Sequence, residues 1–251
     1  MQKTYTVERE GFQISGELYL PDDSKGRYPI VIMAHGFGGD REGTRPYAEI
    51  LVKEGIGCYI FDFCGGGLSS KSDGKMTDMS VITESEDIEA VVESIRKEPF
   101  ADRKNIFLMG VSQGGVASTI AAGDAPDEIK GMVLLYPAYV LFDDARRKYP
   151  SDDLIEDSST VFGLPVGRRY YEDAFSLNIY DYMVRFTGNV LILHGNIDEV
   201  VPLSYSIEAR KKFPAAKIVQ ITDAGHGFYG KEVVKAGKEM VSFIEENMQL
   251  S

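Results

Sequence analysis

The sequence has few cysteines, Cys58 and Cys64 among 251 residues. The run IGCYIFDF, which covers most of the interval between them, is typical of a β-strand. Six residues of extended chain separate two Cα atoms by roughly 20 Å, whereas a disulfide needs Cα atoms about 4.4 to 6.8 Å apart. We therefore expect two free thiols, in agreement with a reducing compartment. Two cysteines without ligand spacing also predict no metal site.

Positive charge and long hydrophobic runs are also scarce. The chain has 27 basic against 39 acidic residues, a net charge of −12 that would repel phosphate backbones and anionic lipid headgroups. No apolar run approaches the roughly 18 residues of a membrane span. The opening stretch MQKTYTVEREGF is charged throughout and has no apolar signal-peptide region. We expect a cytoplasmic protein with no nucleic-acid partner and no membrane span.

What the sequence contains is an alternation of strand and helix patterns over a length common for one α/β domain. Two alternating runs around Gly11, KTYTVERE and FQISGELYLP, predict an antiparallel hairpin. Six apolar runs follow, each able to lie buried on both faces as parallel strands do. They are PIVIMAHG, GCYIFDF, NIFLMGVS, GMVLLYP, NVLILHG and AKIVQITD.

Amphipathic helical patterns separate most of these runs, at residues 45–54, 83–97 and 231–247. Strands that alternate with helices favour a parallel sheet covered on both faces. The sequence therefore predicts an α/β fold with a mostly parallel, doubly wound sheet of eight strands, formed by one domain over residues 1–251.

Fifty residues, 138–187, interrupt this alternation after the sixth strand. Ten of them are aromatic, a larger share than the 11% of the whole chain. Insertions of this length in compact domains are often lids over a binding site. Two interpretations stand side by side: a small subdomain with its own aromatic core, and a lid or cap that walls an apolar pocket.

The string GVSQGG at residues 110–115 matches the Gly-x-Ser-x-Gly pattern. Ser112 follows the strand pattern NIFLMG and precedes VASTIAAG, a small-residue stretch typical of a helix. A strand, a sharp turn and a helix are the setting in which this serine acts as a nucleophile. Gly110 and Gly114 allow the close backbone approach that such a strained turn needs. We predict Ser112 as the nucleophile, with a helix-capping serine as the alternative.

A serine nucleophile needs a histidine base, and the chain has three histidines. His35 directly follows an early strand and is better interpreted as part of an oxyanion loop. His194 ends a strand and has an acid only after it. His226 lies in TDAGHGF after the last strand, where the order serine, acid, histidine places the base. We predict His226, with a surface role for a loop histidine as the alternative.

The acid that orients the histidine is predicted to be Asp198. It lies in HGNIDEVVP, on the loop after a strand, at the sheet edge where ligands bind. Glu199 is adjacent but would point elsewhere, Asp223 is interpreted as a turn residue, and Asp62 ends an earlier strand. The alternative for Asp198 is that it only caps the helix that starts near Pro202.

Two backbone N–H groups are expected to stabilise the charge that develops on the substrate carbonyl oxygen. The string HGFGG, residues 35–39, resembles the His-Gly loops that supply one donor, here the amide of Phe37. The second donor should be the amide of Gln113, the residue after the nucleophile. Glycine-rich loops also cradle phosphates, but no P-loop lysine pattern follows this one.

Taken together, the motifs resemble those of serine hydrolases with the α/β-hydrolase fold, nearly from end to end. The stretches that carry the resemblance are HGFGG, DFCGGGLSS, GVSQGG, HGNIDEVVP and AGHGF. The length and the single insertion after the sixth strand are most similar to small bacterial cinnamoyl and feruloyl esterases and to related monoacylglycerol lipases. One departure is Gly66, where family members often carry a histidine in Asp-x-x-Gly-His-Gly-x-Ser.

The resemblance implies hydrolysis of a carboxylic ester through an acyl-enzyme. Ser112, Asp198 and His226 would form the triad, the amides of Phe37 and Gln113 the oxyanion hole, and no metal or organic cofactor would be required. The expected partner is a small ester substrate, with a hydroxycinnamoyl (feruloyl or cinnamoyl) or another small acyl group. A monoacylglycerol is an alternative substrate. A homodimer stays open.

Two other functions are weighed against this one. A serine aminopeptidase-like peptide hydrolase would want an acidic anchor for the substrate amine, and acids of the insertion could supply it. These acids are Asp143, Asp144, Asp152, Asp153, Glu156, Asp157, Glu172 and Asp173. A binding module without turnover would be expected to lack a triad member, whereas this sequence has a candidate for all three.

Overall fold

An eight-stranded β-sheet spans the protein, in a computed structural model that describes residues 1–22 and 26–249. Residues 23–25 and 250–251 of the unit predicted over 1–251 lie outside the described residues. The strand order is β1-β2-β4-β3-β5-β6-β9-β10. These strands are β1 (Gln2–Arg9), β2 (Phe12–Tyr19), β3 (Tyr28–Ala34), β4 (Gly57–Phe61), β5 (Ala101–Val111), β6 (Gly131–Leu135), β9 (Asn189–Gly195) and β10 (Ala216–Ile221).

The direction of the strands agrees with the sequence prediction. β1 and β2 pair antiparallel through a tight turn at Glu10 and Gly11, whose φ angles are 50° and 88°. Such positive angles are typical of the turns that match the twist of a hairpin. β2 also pairs antiparallel with β4, and the five remaining pairs are all parallel. The predicted hairpin and the mostly parallel sheet are both confirmed.

Helices cover both faces of the sheet, so that the central strands are buried on both sides. On β3, Ile30 and Ile32 belong to one apolar cluster with the helices α2 (Val81–Lys97) and α3 (Gln113–Asp124). Val31 and Met33 belong to another cluster with the helices α1 (Arg45–Leu51) and α8 (Lys231–Asn247). Successive strand residues point to opposite faces. The helices around the sheet are α1 (Arg45–Leu51), α2 (Val81–Lys97), α3 (Gln113–Asp124), α7 (Leu203–Lys212) and α8 (Lys231–Asn247).

Helix ends differ from the predicted ranges where local caps decide them. α2 begins two residues earlier than predicted, because Ser80 caps it: the Ser80 hydroxyl accepts the N–H groups of Ile82 and Thr83, and the Thr83 hydroxyl accepts the Ser80 N–H. The predicted helix at 45–54 is an α-helix only to Leu51 and continues as a 3₁₀ helix over Val52–Glu54, with Gly55 as its C-cap. The helix at 231–247 is confirmed.

The interrupting segment lies between β6 and β9, as predicted, and has its own secondary structure. It contains α4 (Leu141–Lys148), the antiparallel pair β7 (Ser158–Val161) and β8 (Leu164–Gly167), α5 (Arg168–Ser176) and α6 (Ile179–Arg185). Its buried aromatic side chains belong to the same cluster as the sheet face under α2 and α3. They are Tyr139, Phe142, Tyr149, Tyr170, Tyr171 and Phe186. The segment is thus packed into the main core.

None of the helices within residues 1–22 and 26–249 combines the length and the apolar character needed to cross a membrane.

Candidate active site

The residues singled out by the sequence meet at the carboxyl edge of the sheet. His35 follows β3, Ser112 follows β5, Asp198 lies in the loop after β9, and His226 lies in the loop after β10. In open α/β sheets this edge is where ligands bind. A cavity of about 1230 Å³ opens there, with Ser112 and His226 in its lining.

Ser112 occupies a sharp turn between β5 and α3. Its φ of 51° and ψ of −116° form a backbone conformation that side chains with a Cβ rarely adopt. The turn is closed by the Gly115 N–H, which donates to the Ser112 carbonyl at 3.0 Å. A Cβ on Gly110 would lie 2.5 Å from the Gly114 carbonyl oxygen, and a Cβ on Gly114 would lie 2.2 Å from the His35 carbonyl oxygen. Neither position has room for a Cβ, because other backbone atoms lie too close. At Gly114 these atoms belong to the loop after β3.

His226 joins Ser112 and Asp198 in one hydrogen-bonded line. Its Nε2 lies 3.0 Å from the Ser112 Oγ, and its Nδ1 lies 2.8 Å from Oδ2 of Asp198. The other carboxylate oxygen of Asp198 accepts the N–H groups of Val200 and Val201 at 2.9 and 2.8 Å. With Nδ1–H donated to the carboxylate, Nε2 is the nitrogen that can accept a proton from the serine.

The other acids considered as the third member of the triad have different surroundings. The two carboxylate oxygens of Asp62 each accept a backbone N–H at 2.8 Å, so this side chain organises neighbouring loops. Glu199 is exposed, and Asp223 lies in the turn after β10 with a φ of 60°. The helix α7 has Pro202 at its N-cap and no side-chain cap, so Asp198 does not cap it.

His194 is fully buried behind the carboxylate of Asp198. Its Nε2 donates to the Val201 carbonyl at 2.9 Å, and its Nδ1 accepts the hydroxyl of Ser206 at 2.7 Å. Burial lowers the pKa of this imidazole, so it stays neutral and braces the loop that carries Asp198. Within the described chain, no three His, Cys, Asp or Glu side chains are grouped as metal ligands would be.

His35 is buried as well and shapes the HGFGG loop. Its Nδ1 donates to the Gly36 carbonyl at 2.8 Å, and its Nε2 accepts the Phe63 N–H at 3.1 Å. Burial lowers the pKa of His35, in keeping with the neutral ring that these opposite roles require. The Gly38 N–H donates to the Gly66 carbonyl at 3.1 Å and joins the two glycine-rich loops. A Cβ on Gly66 would lie 3.0 Å from the His35 ring, so a larger residue there would have to displace a neighbour.

Phe37 and Gln113 line the cavity next to the nucleophile. Gln113 is the first residue of α3, so its N–H has no partner inside the helix. Among the residues that the structure describes, neither the Phe37 N–H nor the Gln113 N–H has a hydrogen-bond acceptor. Two unpaired backbone donors beside a serine nucleophile are the groups that can receive an oxyanion.

The segment 138–187 forms a wall of the cavity through α4, the β7–β8 pair and α5. Within it, the Lys148 Nζ donates to the Tyr171 hydroxyl at 3.0 Å. The turn at Phe162 and Gly163 joins β7 and β8, and Phe162 is 80% exposed at its tip. The cavity-lining residues of this segment are Ala138, Val140, Leu141, Asp144, Ala145, Lys148, Thr160, Val161, Phe162, Tyr170 and Tyr171.

Comparisons with known proteins agree with this geometry. A family model described as "Serine aminopeptidase, S33" matches residues 27–150, a span that includes Ser112 but ends before Asp198 and His226. Est1E from Butyrivibrio proteoclasticus, solved with ferulic acid bound, has a TM-score of 0.89 and 28% sequence identity, and the match covers 97% of this chain and 98% of that chain. This chain has the α/β-hydrolase fold. The predicted family resemblance and fold are confirmed.

Curated relatives of this α/β hydrolase are more distant or shorter in their match. The monoacylglycerol lipase ABHD6 of Rattus norvegicus is 24% identical over 80% of this chain and 57% of its own length. The thiohydrolase aneE of Aspergillus aculeatus is 32% identical over 48% of this chain and 38% of its own length. The chain thus spans 57% of the length of the first of these relatives and 38% of the length of the second.

Two aromatic residues of this α/β hydrolase were missed by sequence reasoning. Tyr136 follows β6 and packs edge-on against the His226 ring, with centroids 4.8 Å apart. Tyr170 lies on α5; its hydroxyl donates to Oε1 of Gln113 at 3.0 Å, and its ring lies 5.8 Å from the Phe37 ring. Tyr136 could have been noticed because it ends a strand at the ligand-binding edge. Nothing in the pattern of the insertion marks Tyr170.

Proposed function

We propose that the protein is a serine carboxylic ester hydrolase that works through an acyl-enzyme. The observation that carries the proposal is the line of hydrogen bonds from Asp198 through His226 to Ser112, with distances of 2.8 and 3.0 Å. A serine hydroxyl becomes a useful nucleophile when an oriented base can take its proton. The strained turn at Ser112 and the open cavity beside it support the same role.

In the acylation half of the reaction, Oγ of Ser112 attacks the ester carbonyl carbon while Nε2 of His226 takes the hydroxyl proton. The carbonyl oxygen becomes an oxyanion, which accepts the N–H groups of Phe37 and Gln113. Asp198 stabilises the imidazolium. When the intermediate collapses, the bond to the alcohol oxygen breaks, His226 gives its proton to the alcohol, and the acyl group stays on Ser112.

In the deacylation half, a water molecule replaces the alcohol. His226 takes a proton from the water as its oxygen attacks the acyl carbon, and the same two N–H groups receive the second oxyanion. Collapse breaks the bond to Oγ, and the proton returns from His226 to Ser112. The products are a carboxylic acid and the regenerated enzyme, so the cycle needs no cofactor.

The proposed acyl group is a hydroxycinnamoyl or another small acyl group. The similarity to Est1E, whose structure holds ferulic acid, supports a planar aromatic acid. Aromatic side chains in the cavity wall, Phe162, Tyr170 and Tyr171, suit such a group. Short fatty acyl groups would fit an apolar cavity as well, and the similarity to a monoacylglycerol lipase supports them.

We propose that residues 138–187 act as a cap within a single domain. Their side chains wall the cavity, and their buried aromatic residues share the core of the sheet. A cap excludes water from the reacting groups and adds contacts to the acyl group without altering the triad.

The proposal is tested by hydrolysis of a matched panel with the purified protein and Ser112→Ala side by side. The panel contains methyl ferulate, p-nitrophenyl butyrate, a monoacylglycerol and an aminoacyl-p-nitroanilide. We expect methyl ferulate to have the highest kcat/KM and the variant to be inactive. Preference for butyrate or the monoacylglycerol would keep the esterase and replace the acyl group. No turnover of any substrate would contradict the triad assignment.

Peptide hydrolysis is the second candidate, and one observation favours it. Asp144 is the insertion acid that lines the cavity within the described residues. Its carboxylate is exposed, and a carboxylate beside the nucleophile's cavity can pair with a substrate amine. The family model that matches the first half of the chain is also described as a serine aminopeptidase. Against it, the Asp144 carboxylate already pairs with Arg147. Turnover of the anilide alone in the same panel would favour the peptidase.

A further inference from the structure

The cavity beside Ser112 has walls on both faces of the sheet. Its lining residues Leu141 and Tyr170 belong to the apolar cluster under α2 and α3, whereas Tyr47 and Phe228 belong to the cluster under α1 and α8. Ser112 follows β5, a central strand with helices on both of its faces. The cavity therefore extends from the nucleophile in two directions, and only one of them leads to the insertion.

The two parts of the cavity are built from different segments. The insertion side is walled by residues 138–171, and the α8 side is formed by α1, the loop after β10 and the first turn of α8. The residues that line the α8 side are Pro46, Tyr47, Phe228, Tyr229, Gly230 and Val233.

The cavity is large for a methyl ester. Its volume of about 1230 Å³ exceeds the roughly 300 to 1,000 Å³ of pockets that hold drug-sized ligands. With the acyl group on one side of Ser112, a methyl group would fill little of the other side. The volume thus suits an ester with a sizeable group on each side of its carbonyl carbon.

The proposed mechanism determines which half of the ester each side receives. His226 gives its proton to the alcohol oxygen, so the alcohol leaves next to this imidazole. The chain directly after His226, residues 227–230, lines the α8 side. The oxyanion residues Phe37 and Gln113 instead contact Tyr170 of the insertion, by ring packing at 5.8 Å and by a hydrogen bond of 3.0 Å. The acyl group therefore fits the insertion side and the alcohol fits the α8 side.

Tyr229 places an exposed aromatic ring on the α8 side. Its N–H donates to Oε2 of Glu232 at 2.9 Å, and its carbonyl accepts the Glu232 N–H at 3.0 Å, so its backbone is fixed. Its side chain folds back over Gly227, where a Cβ would lie 3.0 Å from the Tyr229 hydroxyl oxygen. The residue is nevertheless 76% exposed. A fixed and exposed ring can pack on an apolar group of a ligand at little cost in entropy.

The acids that line the cavity just before α1 are already engaged. The Glu42 carboxylate accepts the Arg45 Nε–H at 2.6 Å. The Asp40 carboxylate accepts the Glu42 N–H at 3.0 Å and the Ser69 hydroxyl at 2.7 Å. The rest of the α8 side is apolar or aromatic, so it suits an apolar alcohol better than a polyol.

We propose that the α8 side is a binding site for the alcohol half of the ester, and that this alcohol carries an apolar group about the size of an aromatic ring. Tyr229 and Val233 are its contact residues. The inference rests on the proposed esterase function and adds to it the class of the leaving group, which the acyl selectivity of the insertion does not address.

The first test compares benzyl ferulate with methyl ferulate. Methanol and benzyl alcohol have similar acidities, so these leaving groups differ mainly in size. We expect the wild type to have about 10-fold higher kcat/KM for the benzyl ester, because its ring packs on the α8 side. Val233→Phe places a second ring in that space and should remove this preference while the methyl ester reacts as before.

Val234→Phe is the matched control for Val233→Phe. Val234 is the next residue of α8, is 50% exposed and lies outside the cavity lining, so the same substitution there should leave the benzyl-to-methyl ratio unchanged. A wild-type ratio near one would overturn the proposal. So would a ratio that Val233→Phe leaves unchanged or that both variants change equally.

The second test separates an apolar alcohol from a polyol. Tyr229→Ala should lower kcat/KM for benzyl ferulate by about 5-fold, the value of one lost aromatic contact, and leave glyceryl ferulate unchanged. Tyr180→Ala, at a partly exposed tyrosine outside the cavity lining, should change neither ester. A preference of the wild type for glyceryl ferulate over benzyl ferulate would assign the α8 side to a polyol and overturn the proposal.

The third test measures binding without turnover. In calorimetric titrations, Ser112→Ala should bind benzyl ferulate about 10-fold more tightly than methyl ferulate, and Val233→Phe added to it should abolish the difference. Equal affinities of Ser112→Ala for the two esters would contradict an alcohol site. Failure of the esterase function would instead appear as a wild type that cleaves no ester, while the titrations still report on the α8 side. The two failures are thus distinguishable.

Discussion

The sheet core shapes the site through backbone geometry at Ser112 and its glycines, whereas residues 138–187 contribute a wall of the cavity. Ser112 has a strained φ of 51°, and a Cβ on Gly114 would lie 2.2 Å from a backbone oxygen. In the insertion, by contrast, the cavity-lining residue Phe162 is 80% exposed at the tip of its turn. Backbone constraints tolerate little change, but side-chain walls can be exchanged. We therefore expect core changes to abolish the chemistry and insertion changes to alter selectivity.

The largest expected effect is at the nucleophile itself. Ser112→Ala removes the attacking oxygen and should lower kcat by about 10⁶ in the ester assay. The fold should be retained, because alanine adds no atom to the turn; circular dichroism and a thermal melt check this. Residual activity close to that of the wild type would mean that another residue performs the reaction.

The next effect tests the choice of acid against its sequence neighbour. Asp198→Asn keeps the shape of the side chain but loses the charge that orients His226, so kcat should fall by about 10⁴. Glu199→Gln, one residue along and exposed, is the matched control and should have wild-type kcat. The assignment is wrong if the two variants lose activity equally.

A backbone change in the core should reduce both stability and activity. Gly114→Ala forces a Cβ against the His35 carbonyl oxygen, and overpacking of this kind costs about 1 to 3 kcal/mol of unfolding free energy. Gly43→Ala is the control for stability, since nothing lies within 4 Å of its added Cβ. Urea unfolding of both variants measures the difference. Equal midpoints would show that the loop after β3 yields to the added methyl group.

The smallest effect is expected in the insertion and concerns selectivity. Phe162→Ala removes a ring 6.4 Å from that of Phe37 in the cavity wall, and should lower kcat/KM for methyl ferulate by about 10-fold relative to p-nitrophenyl butyrate. Leu154→Ala changes another exposed apolar residue of the segment, outside the cavity lining, and should change neither substrate. A loss shared by both esters would argue against a selective wall.

Much of the core could be predicted from the sequence, since local physics decides it. Strands buried on both faces have continuous apolar runs, so β3 and β9 were recognisable, and β9 has the predicted bounds of Asn189–Gly195. The insertion was recognised as an interruption, but its elements were not predicted. Short helices and a four-residue strand pair carry too few residues for a periodic pattern.

The candidate site divides in the same way. Ser112 was recognisable because the turn that carries it needs glycines on both sides for steric reasons. His226 and Asp198 were recognisable because their order along the chain and their positions after strand ends left few alternatives. Those three side chains are brought together at hydrogen-bond distances. Tyr170, by contrast, lies in the insertion, where no pattern gave a signal.

The sequence by itself determined the alternation of strands and helices, the strained turn at Ser112 and the candidate triad, because each depends on residues close together along the chain or at strand ends. Only the tertiary structure decided that Tyr136 packs against His226 and that Tyr170 reaches both Gln113 and Phe37. Such contacts depend on how segments distant along the chain pack together, and no local pattern specifies that packing.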